Sequence, residues 1–288
     1  MKDEIGAVIL KIAIKSIVES NLCTGCGTCM GICPNGAIEF CIVDGLYLPQ
    51  VQETKCTSCG LCIKSCPGYI VDFEKLFFSI FGKQHDSGLL GNYLGCYIGH
   101  SSDEYIRYNS SSGGMISQLL IFALEEGMID GALVVRMRKN KPLEPEPFIA
   151  TTREQIISAS KSKYCPVPAN VALKEIMSQR GKFAVVGLPC HIHGIRKAEV
   201  VNKKLREKIS LHLGLFCSHT VNFLGTEVLL EKFGIDKHAI GKLEYRANGW
   251  PGNLSITLAN KHVVRLKHCD FRKEWWNPLF GPYFFTPL

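Results

Sequence analysis

The fold is decided by two cysteine-rich stretches, Cys23-Thr-Gly-Cys26-Gly-Thr-Cys29-Met-Gly-Ile-Cys33-Pro34 and Cys56-Thr-Ser-Cys59-Gly-Leu-Cys62-Ile-Lys-Ser-Cys66-Pro67. Both have the spacing C-x2-C-x2-C-x3-C-P, which is typical of cysteines that ligate [4Fe–4S] clusters. Three thiolates on one tight loop can reach three corners of a cubane, whereas the fourth, at the start of a short helix, faces the other way. The repeat therefore predicts two clusters that exchange their fourth ligands.

This exchange assigns four ligands to each cluster. Cluster 1 takes Cys23, Cys26, Cys29 and Cys66, and cluster 2 takes Cys56, Cys59, Cys62 and Cys33. Disulfides would imply secretion, and zinc sites show paired C-x2-C knuckles instead of triplets followed by Cys-Pro. Thiolate-bound clusters belong in a reducing compartment, which predicts a cytoplasmic protein. A further cysteine, Cys41, lies outside the pattern and is interpreted as a core residue.

The region from about residue 18 to 72 resembles two-cluster ferredoxins, and this resemblance implies single-electron transfer at low potential. The whole chain of 288 residues, 46% apolar and 20% charged, has a globular composition and favours two domains. No apolar run reaches the ~18 residues that cross a bilayer. The apolar stretch Ile5–Ile14 contains Lys11 and no cleavage site, so it predicts a leader packed on the body, with a floppy leader as the alternative.

The net charge of +7 is unevenly distributed. Residues 1–80 carry 6 basic and 8 acidic side chains, a net of −2, and residues 81–288 carry 27 and 18, a net of +9. The basic second part indicates an anionic ligand or partner, or simply a basic surface. Its basic residues are not interleaved with aromatic ones, so nucleic acid is not expected.

Beyond a Phe-rich connector, the sequence alternates between helix and strand patterns. It predicts α/β structure with an antiparallel addition, following the α+β ferredoxin unit. The polar segment 200–208 is interpreted as a helix end or loop, and Ala259-Asn260-Lys261 as the turn of a hairpin. Helices are predicted at Met115–Glu126, Ala169–Gln179 and Val221–Phe233, and strands at Gly131–Met137, Phe183–Gly187, Ser210–Phe216, Leu243–Ala247, Leu254–Leu258 and His262–Lys267.

Three junctions in this second part carry residues suited to chemistry. Ser110-Ser-Ser-Gly-Gly114 precedes a predicted helix, where hydroxyls and free N–H groups suit a phosphate; a simple serine N-cap is the alternative. Cys190 and Cys217 each follow a predicted strand, at the edge where α/β sheets bind ligands. They suggest a further cluster, with buried structural thiols as the alternative. His191 and His193 fall short of a closed metal site and are expected to face solvent or a ligand.

The chain resembles the beta-subunit family of coenzyme F420-reducing hydrogenases and formate dehydrogenases, in particular members with an N-terminal two-cluster ferredoxin unit. The order and spacing of the matching stretches carry the resemblance. They are Ser111-Ser-Gly-Gly114, Leu124-Glu-Glu-Gly-Met-Ile-Asp-Gly131, Ser162-Lys-Tyr164, Gly187-Leu-Pro-Cys190 and Gly214-Leu-Phe-Cys217.

The resemblance implies an α/β domain that holds FAD, a further [4Fe–4S] cluster near the flavin, and hydride exchange between the flavin and coenzyme F420. A lysine near the ring would stabilise the anionic reduced flavin, whereas the alternative is an ordinary exposed lysine. By its matching motifs, the resemblance implies positions for eight residues. Ser111, Ser112, Gly113 and Gly114 would lie at the FAD phosphates, Lys163 and Tyr164 by the flavin, and Gly187 and Pro189 in the same cofactor site.

Two departures from the family pattern stand out. The family's Thr-Pro-Cys-Gln is replaced by Leu188-Pro-Cys-His191, which loses a hydroxyl and an amide. The family's nearby cluster also uses a later C-x2-C pair, and this chain ends at Leu288 about where that pair is expected. We therefore expect a C-terminally truncated sequence, with Cys190 and Cys217 as a partial third cluster that forms only if the C-terminus is completed.

These observations predict four segments: a leader at 1–17, a 2[4Fe–4S] ferredoxin domain at 18–75, a connector at 76–94 and an FAD-binding domain at 95–288. The predicted function is an F420-dependent oxidoreductase that passes single electrons to or from a partner oxidoreductase subunit or a ferredoxin. The alternatives are a ferredoxin-dependent reductase of another substrate and a non-catalytic electron-transfer subunit.

Overall fold

A computed structural model describes residues 14–84, 93–275 and 285–286. Most of the leader and residues 85–92 of the connector lie outside this range. Within it, the ferredoxin unit contains helices α1 (Ile14–Glu19), α2 (Thr28–Ile32) and α3 (Leu61–Lys64), and strands β1 (Ile38–Val43) and β2 (Leu46–Val51). The two strands form an antiparallel hairpin through Asp44 and Gly45, both at positive φ, as a tight Asp-Gly turn requires.

The Phe-rich segment forms a helix, α4 (Phe73–Phe81), where the sequence predicted only a connector. Asp72 caps its start by accepting a hydrogen bond from the Lys75 amide, and Gly82 ends it in the left-handed conformation. No residue of α4 is buried.

A four-stranded mixed sheet forms the centre of the second domain, in the order β4-β3-β5-β6. β3, β5 and β6 are parallel, whereas β4 pairs antiparallel with β3 at the edge. The strands are β3 (Gly131–Met137), β4 (Pro145–Ala150), β5 (Phe183–Gly187) and β6 (Ile209–Gly214). The helices are α5 (Glu104–Tyr108), α6 (Met115–Glu125), α7 (Arg153–Ser158), a 3-10 turn (Ala169–Ala172), α8 (Leu173–Ser178), α9 (Pro189–Val201) and α10 (Lys203–Lys208).

A three-stranded antiparallel sheet follows, in the order β10-β9-β8. Its core includes Tyr245, Phe271 and Trp275, all buried. Two short strands, β7 and β11, pair antiparallel with each other. The elements of this part are β7 (Thr220–Val221), α11 (Phe223–Lys232), a 3-10 turn (Lys237–Ala239), β8 (Ile240–Ala247), β9 (Asn253–Leu258), β10 (Val263–Lys267), α12 (His268–Trp275) and β11 (Phe285–Thr286).

The predicted mixed α and β fold is confirmed, including the strands 131–137 and 183–187 and the β9–β10 hairpin. The segment at 200–208 ends one helix and forms another, α10. The sequence analysis missed β4, because Pro145 and Pro147 interrupt its pattern; an edge strand tolerates proline. Cys41 is half-buried on β1 and outside the hydrophobic clusters of the described residues, so its prediction as a core residue was wrong.

The ferredoxin unit packs directly into the core of the second domain. Ile32, at the end of α2, belongs to the same buried cluster as Leu173, Ile176 and Ile195. The backbone N–H of Asn170 also donates a hydrogen bond to the backbone carbonyl of Cys26, with an N–O distance of 3.0 Å. The two units therefore share one hydrophobic core at their boundary. Within the described ranges, no helix combines the length and the apolarity needed to traverse a bilayer.

Candidate functional site

The first set of four thiols surrounds a small cavity in the ferredoxin unit. Cys23, Cys26, Cys29 and Cys66 all line it. Burial raises the pKa of Cys29 and of Cys66, the latter to about 12, and the neighbouring thiols of the set raise both further. Positive charge from bound iron would favour the thiolate form and so offset the effect of burial, because a coordinated thiol is deprotonated outright. The set brought together is the one that the spacing assigns to cluster 1.

The second set lies nearer the surface. Burial raises the pKa of Cys62 to about 11, and the thiols of Cys59, Cys33 and Cys56 contribute to the rise, so these four are neighbours. Cys56 and Cys59 are exposed. Gly27 and Gly60, both in the left-handed conformation, precede the short helices α2 and α3, so the two loops enter their helices by the same turn.

The first set, arranged around a cavity, fits a group larger than one ion. In the described part of the chain, no three His, Cys, Asp or Glu side chains are placed to hold a single metal ion. The ligands of a cubane stand further apart than those of one ion, so four thiols around a cavity suit a [4Fe–4S] cluster.

A large cavity of about 720 Å³ opens beyond the carboxyl ends of β5 and β6. This volume lies within the roughly 300–1,000 Å³ that ligand and cofactor sites occupy. Of the eight residues that the sequence predicts to bind the cofactor, seven line this cavity and Pro189 does not. Those lining it are Ser111, Ser112, Gly113, Gly114, Lys163, Tyr164 and Gly187.

The serine–glycine loop is shaped by contacts with its neighbours, not by capping α6. Gly114 occupies the cap position at a φ of 78°, with no side-chain cap, so the alternative of a simple serine N-cap was wrong. Ser110 Oγ donates to the carbonyl of Ile106 at 2.7 Å. Ser111 Oγ accepts from the amide of Ser162 at 2.8 Å, which ties the loop to the stretch that carries Lys163.

Lys163 is half-buried and makes three hydrogen bonds. Its ammonium group donates to the carbonyls of Ala159, Ser160 and Lys161, the latter two at 2.9 Å. Burial lowers the pKa of Lys163 to about 7. The alternative of an ordinary exposed lysine was therefore wrong. The three carbonyls fix the ammonium in the cavity wall, where it can act on an anion through its charge.

Cys190 and Cys217 come together at the same cavity because β5 and β6 are adjacent parallel strands. Burial raises the pKa of Cys190 to about 12, and the nearby thiols of Cys26 and Cys217 add to the rise. Cys165 also lines the cavity but hydrogen-bonds to Tyr245, and Cys269 is exposed beside Asp270. Among the described residues, the structure thus places two thiols for a third cluster, and that cluster stays a prediction.

His191 was expected to face solvent or a ligand; it is buried away from bulk solvent and lies in the wall of the large cavity. The ring is buried at the start of α9, with Nδ1 accepting from the Leu188 amide at 3.1 Å. Nε2 therefore carries the proton and donates to the carbonyl of Val167 at 2.9 Å. Burial lowers the pKa of His191 to about 4. His193 is half-buried and packs edge-on against Phe73, with ring centroids 5.4 Å apart.

Arg246 is a functional candidate that the sequence analysis missed. From β8 it donates to the carbonyl of Ser111 at 2.8 Å and to the hydroxyl of Tyr164 at 2.9 Å. It therefore holds both of the loops that face the cavity. No local motif marks it, because 135 residues separate it from Ser111.

Comparison with known proteins agrees with this arrangement. Residues 22–70 match the model of a 4Fe-4S dicluster domain. Residues 96–174 and 180–280 match the N-terminal and C-terminal models of the coenzyme F420 hydrogenase/dehydrogenase beta subunit. The coenzyme F420 hydrogenase subunit beta of Methanothermobacter thermautotrophicus is 32% identical over 198 residues, which cover 65% of this chain and 70% of that protein. The chain belongs to the coenzyme F420 hydrogenase/dehydrogenase beta-subunit family.

Other relatives of this chain differ in the enzyme that they are named for. The coenzyme F420-dependent sulfite reductase of Methanocaldococcus jannaschii is 28% identical, over 81% of this chain and 36% of that protein. A subunit of the F(420)H(2) dehydrogenase of Methanosarcina mazei is 28% identical, over 76% of this chain and 59% of that protein. The chain thus spans between about a third and seven-tenths of these three relatives.

Proposed function

We propose that this chain is an oxidoreductase subunit that moves electrons between coenzyme F420 and a partner, through FAD and two [4Fe–4S] clusters. One observation carries the proposal: Cys23 and Thr24 line both the cysteine cavity and the 720 Å³ cavity. The two sites share a wall. A redox cofactor in the large cavity would therefore lie next to the cluster 1 ligands.

The large cavity supports FAD as that cofactor. The Ser111–Gly114 loop offers hydroxyls and backbone amides at the start of α6, a helix of 11 residues, as phosphate binding requires. A Cβ at Gly113 would lie 3.0 Å from the carbonyl oxygen of Gly99, so this turn needs glycine to stay closely packed. When bound, FAD supplies hydride exchange with the deazaflavin coenzyme and single-electron exchange with the clusters.

The protein's own contribution is positioning and charge. Lys163 places a positive charge in the wall, and Arg246 hydrogen-bonds to Ser111 and Tyr164, which line the same cavity. Both charges favour an anionic cofactor and its reduced form. The excess of basic residues beyond residue 80 likewise favours the binding of an anionic coenzyme.

The arrangement also suggests an order for the electron path. The buried set of thiols lies against the cavity, and the set that includes exposed Cys56 and Cys59 lies outside it. Cys62 is near enough to Cys29 to raise its pKa, so the two sets are neighbours. We infer the order cavity, cluster 1, cluster 2, with a partner subunit or ferredoxin docking near cluster 2.

A second candidate function is reduction of another substrate by the same cofactors, since one relative is named a sulfite reductase. A non-catalytic electron-transfer subunit is the third, and it predicts iron without flavin. An anaerobic assay separates them: reduced coenzyme F420 and a viologen acceptor are added to the iron-loaded protein, and the coenzyme's visible absorbance is followed.

Appearance of oxidised coenzyme at a rate that depends on added FAD supports the proposal. No oxidation by protein that holds both clusters and FAD contradicts it, and sulfite consumption with reduced viologen would then favour the second candidate. A preparation that binds iron but no FAD favours the third.

A further inference from the structure

Three buried polar groups meet where the ferredoxin unit joins the second domain. Thr28, inside the first cysteine motif, and Asn170, in the 3-10 turn before α8, are both fully buried. Asn170 Nδ2 lies 2.8 Å from Thr28 Oγ1, and Thr28 Oγ1 lies 3.2 Å from Cys26 Sγ. A chain of hydrogen bonds thus runs from the second domain to a cluster 1 ligand.

The orientation of the Asn170 amide is fixed by its other contact. Nδ2 also lies 2.9 Å from the backbone carbonyl of His191, which can only accept a hydrogen bond. Nitrogen must therefore face both His191 and Thr28. Because the amide nitrogen has two hydrogens, one goes to each, and Thr28 Oγ1 is an acceptor in this contact.

The same count of donors and acceptors gives the direction of the hydrogen bond between Thr28 and Cys26. A cysteine that ligates iron is a thiolate without a proton, so its sulfur can only accept. The Thr28 hydroxyl accepts from Asn170 and keeps its own hydrogen for Cys26. Each bond polarises the next, and burial at low dielectric strengthens both.

We propose that Asn170 and Thr28 form a hydrogen-bond relay that raises the reduction potential of cluster 1. This inference rests on the proposed function, because it requires a cluster on Cys26. A hydrogen bond to a ligating sulfur withdraws negative charge and so favours the reduced, more negative cluster. Asn170 and Thr28 are positioning residues, since Asn170 acts only through the hydroxyl.

The relay belongs to cluster 1 alone. The second motif repeats the first as Cys59-Gly60-Leu61-Cys62, so Leu61 stands where the first motif has Thr28. Leucine has no hydroxyl to donate. Packing at the first motif leaves space for the Thr28 hydroxyl, because a Cβ on Gly194 of α9 would overlap Thr28 Oγ1.

The test is an anaerobic redox titration of the cluster-loaded protein, followed by electron paramagnetic resonance. Thr28→Val keeps the shape of the side chain and removes the hydroxyl, and Thr28→Ser restores it. We expect a negative shift in the midpoint potential of one cluster in Thr28→Val, a smaller negative shift in Asn170→Ala, and the wild-type value in Thr28→Ser. Cluster 2 is the internal control, assigned with a Cys59→Ser variant, and its potential stays unchanged.

Two results would overturn the relay: unchanged potentials in fully loaded Thr28→Val, or a shift of equal size in Thr28→Ser. If Thr28→Val does not load its clusters, Asn170→Ala gives the same comparison, and an unshifted potential there also overturns it. Failure of the proposed function looks different, because the wild-type protein would then leave reduced coenzyme F420 unoxidised while its cluster potentials still respond to Thr28.

Discussion

Arg246 Nη2 donates a hydrogen bond of 2.8 Å to the backbone carbonyl of Ser111. The donor is on the antiparallel sheet and the acceptor is in the loop before α6, so a side chain of one sheet fixes the loop of another. The second donor, Nη1, bonds to the Tyr164 hydroxyl, and the Ser111 hydroxyl also accepts from the Ser162 amide. The guanidinium group therefore helps to hold these two loops beside each other in the cavity wall.

Replacing this group should weaken FAD binding. Hydrogen bonds from a charged donor contribute about 1.5–3 kcal/mol, so Arg246→Gln should raise the Kd for FAD roughly ten- to hundredfold. The measurement is flavin fluorescence quenching on titration of the flavin-free protein. Arg265→Gln, an exposed arginine on β10, is the matched control and should bind FAD as the wild type does. Equal affinities for the two variants would contradict the role of Arg246.

Lys163 should make FAD binding depend on pH near neutrality. With a pKa of about 7, its ammonium form falls from roughly nine-tenths at pH 6 to roughly one-tenth at pH 8. The protonated form attracts the anionic cofactor, so affinity should decrease as pH rises through this window. Lys163→Met should flatten the profile, and Lys139→Met, at an exposed position, should not. A wild-type profile that rises with pH would show that the charge of Lys163 does not act on FAD.

Lys197 should stabilise the end of the second cysteine motif. It is buried on α9, and its ammonium donates to the carbonyls of Cys66, Tyr69 and Ile70. Lys197→Met leaves these acceptors without their donor, which should cost about 1–3 kcal/mol and speed the loss of iron. Iron release to a chelator and thermal unfolding measure the effect. Lys203→Met removes only an exposed pair with Glu207 and should match the wild type.

Iron content should separate ligating from other thiols. Cys26→Ser removes a ligand of cluster 1 and should lower the iron bound per chain by about half, leaving cluster 2. Cys41→Ser changes a half-buried thiol that hydrogen-bonds to the Leu48 carbonyl and should leave iron content unchanged. Iron and sulfide analysis of both variants checks this. Full iron content in Cys26→Ser would mean that the ligand assignment is wrong.

Local patterns predicted the parts of this protein that depend on nearby residues. The strand Phe183–Gly187 is a continuous apolar run and was predicted to the residue. The cysteine spacing could group the thiols because each motif is compact, with a tight loop and a short helix inside it; the assignment of ligands to two clusters stays a prediction. The helix at Phe73–Phe81 was interpreted as a connector from its composition, although its apolar residues recur at the i, i+3, i+4 spacing of an amphipathic helix.

The features of the site that the sequence did not predict depend on contacts between residues that are far apart along the chain. Asn170 reaches Thr28 across 142 residues, and neither has a motif around it that suggests a shared network. His191 was expected to face solvent or a ligand, yet both of its ring nitrogens are hydrogen-bonded to the backbone. The Asn170–Thr28 contact is set by how the two units pack, whereas the partners of His191 are set within the second domain, by the start of α9 and its packing against Val167.

On the proposed function, the burial of Ile32 in the core of the second domain has a consequence for how electrons would cross this protein. A ferredoxin on a flexible tether must diffuse to its donor, and its transfer rate then depends on how often the two meet. Here the same apolar contacts that fold the chain also fix the gap between the redox sites. Transfer across that gap is set by tunnelling over a constant distance, and viscosity or crowding can slow only the encounter with the outside partner.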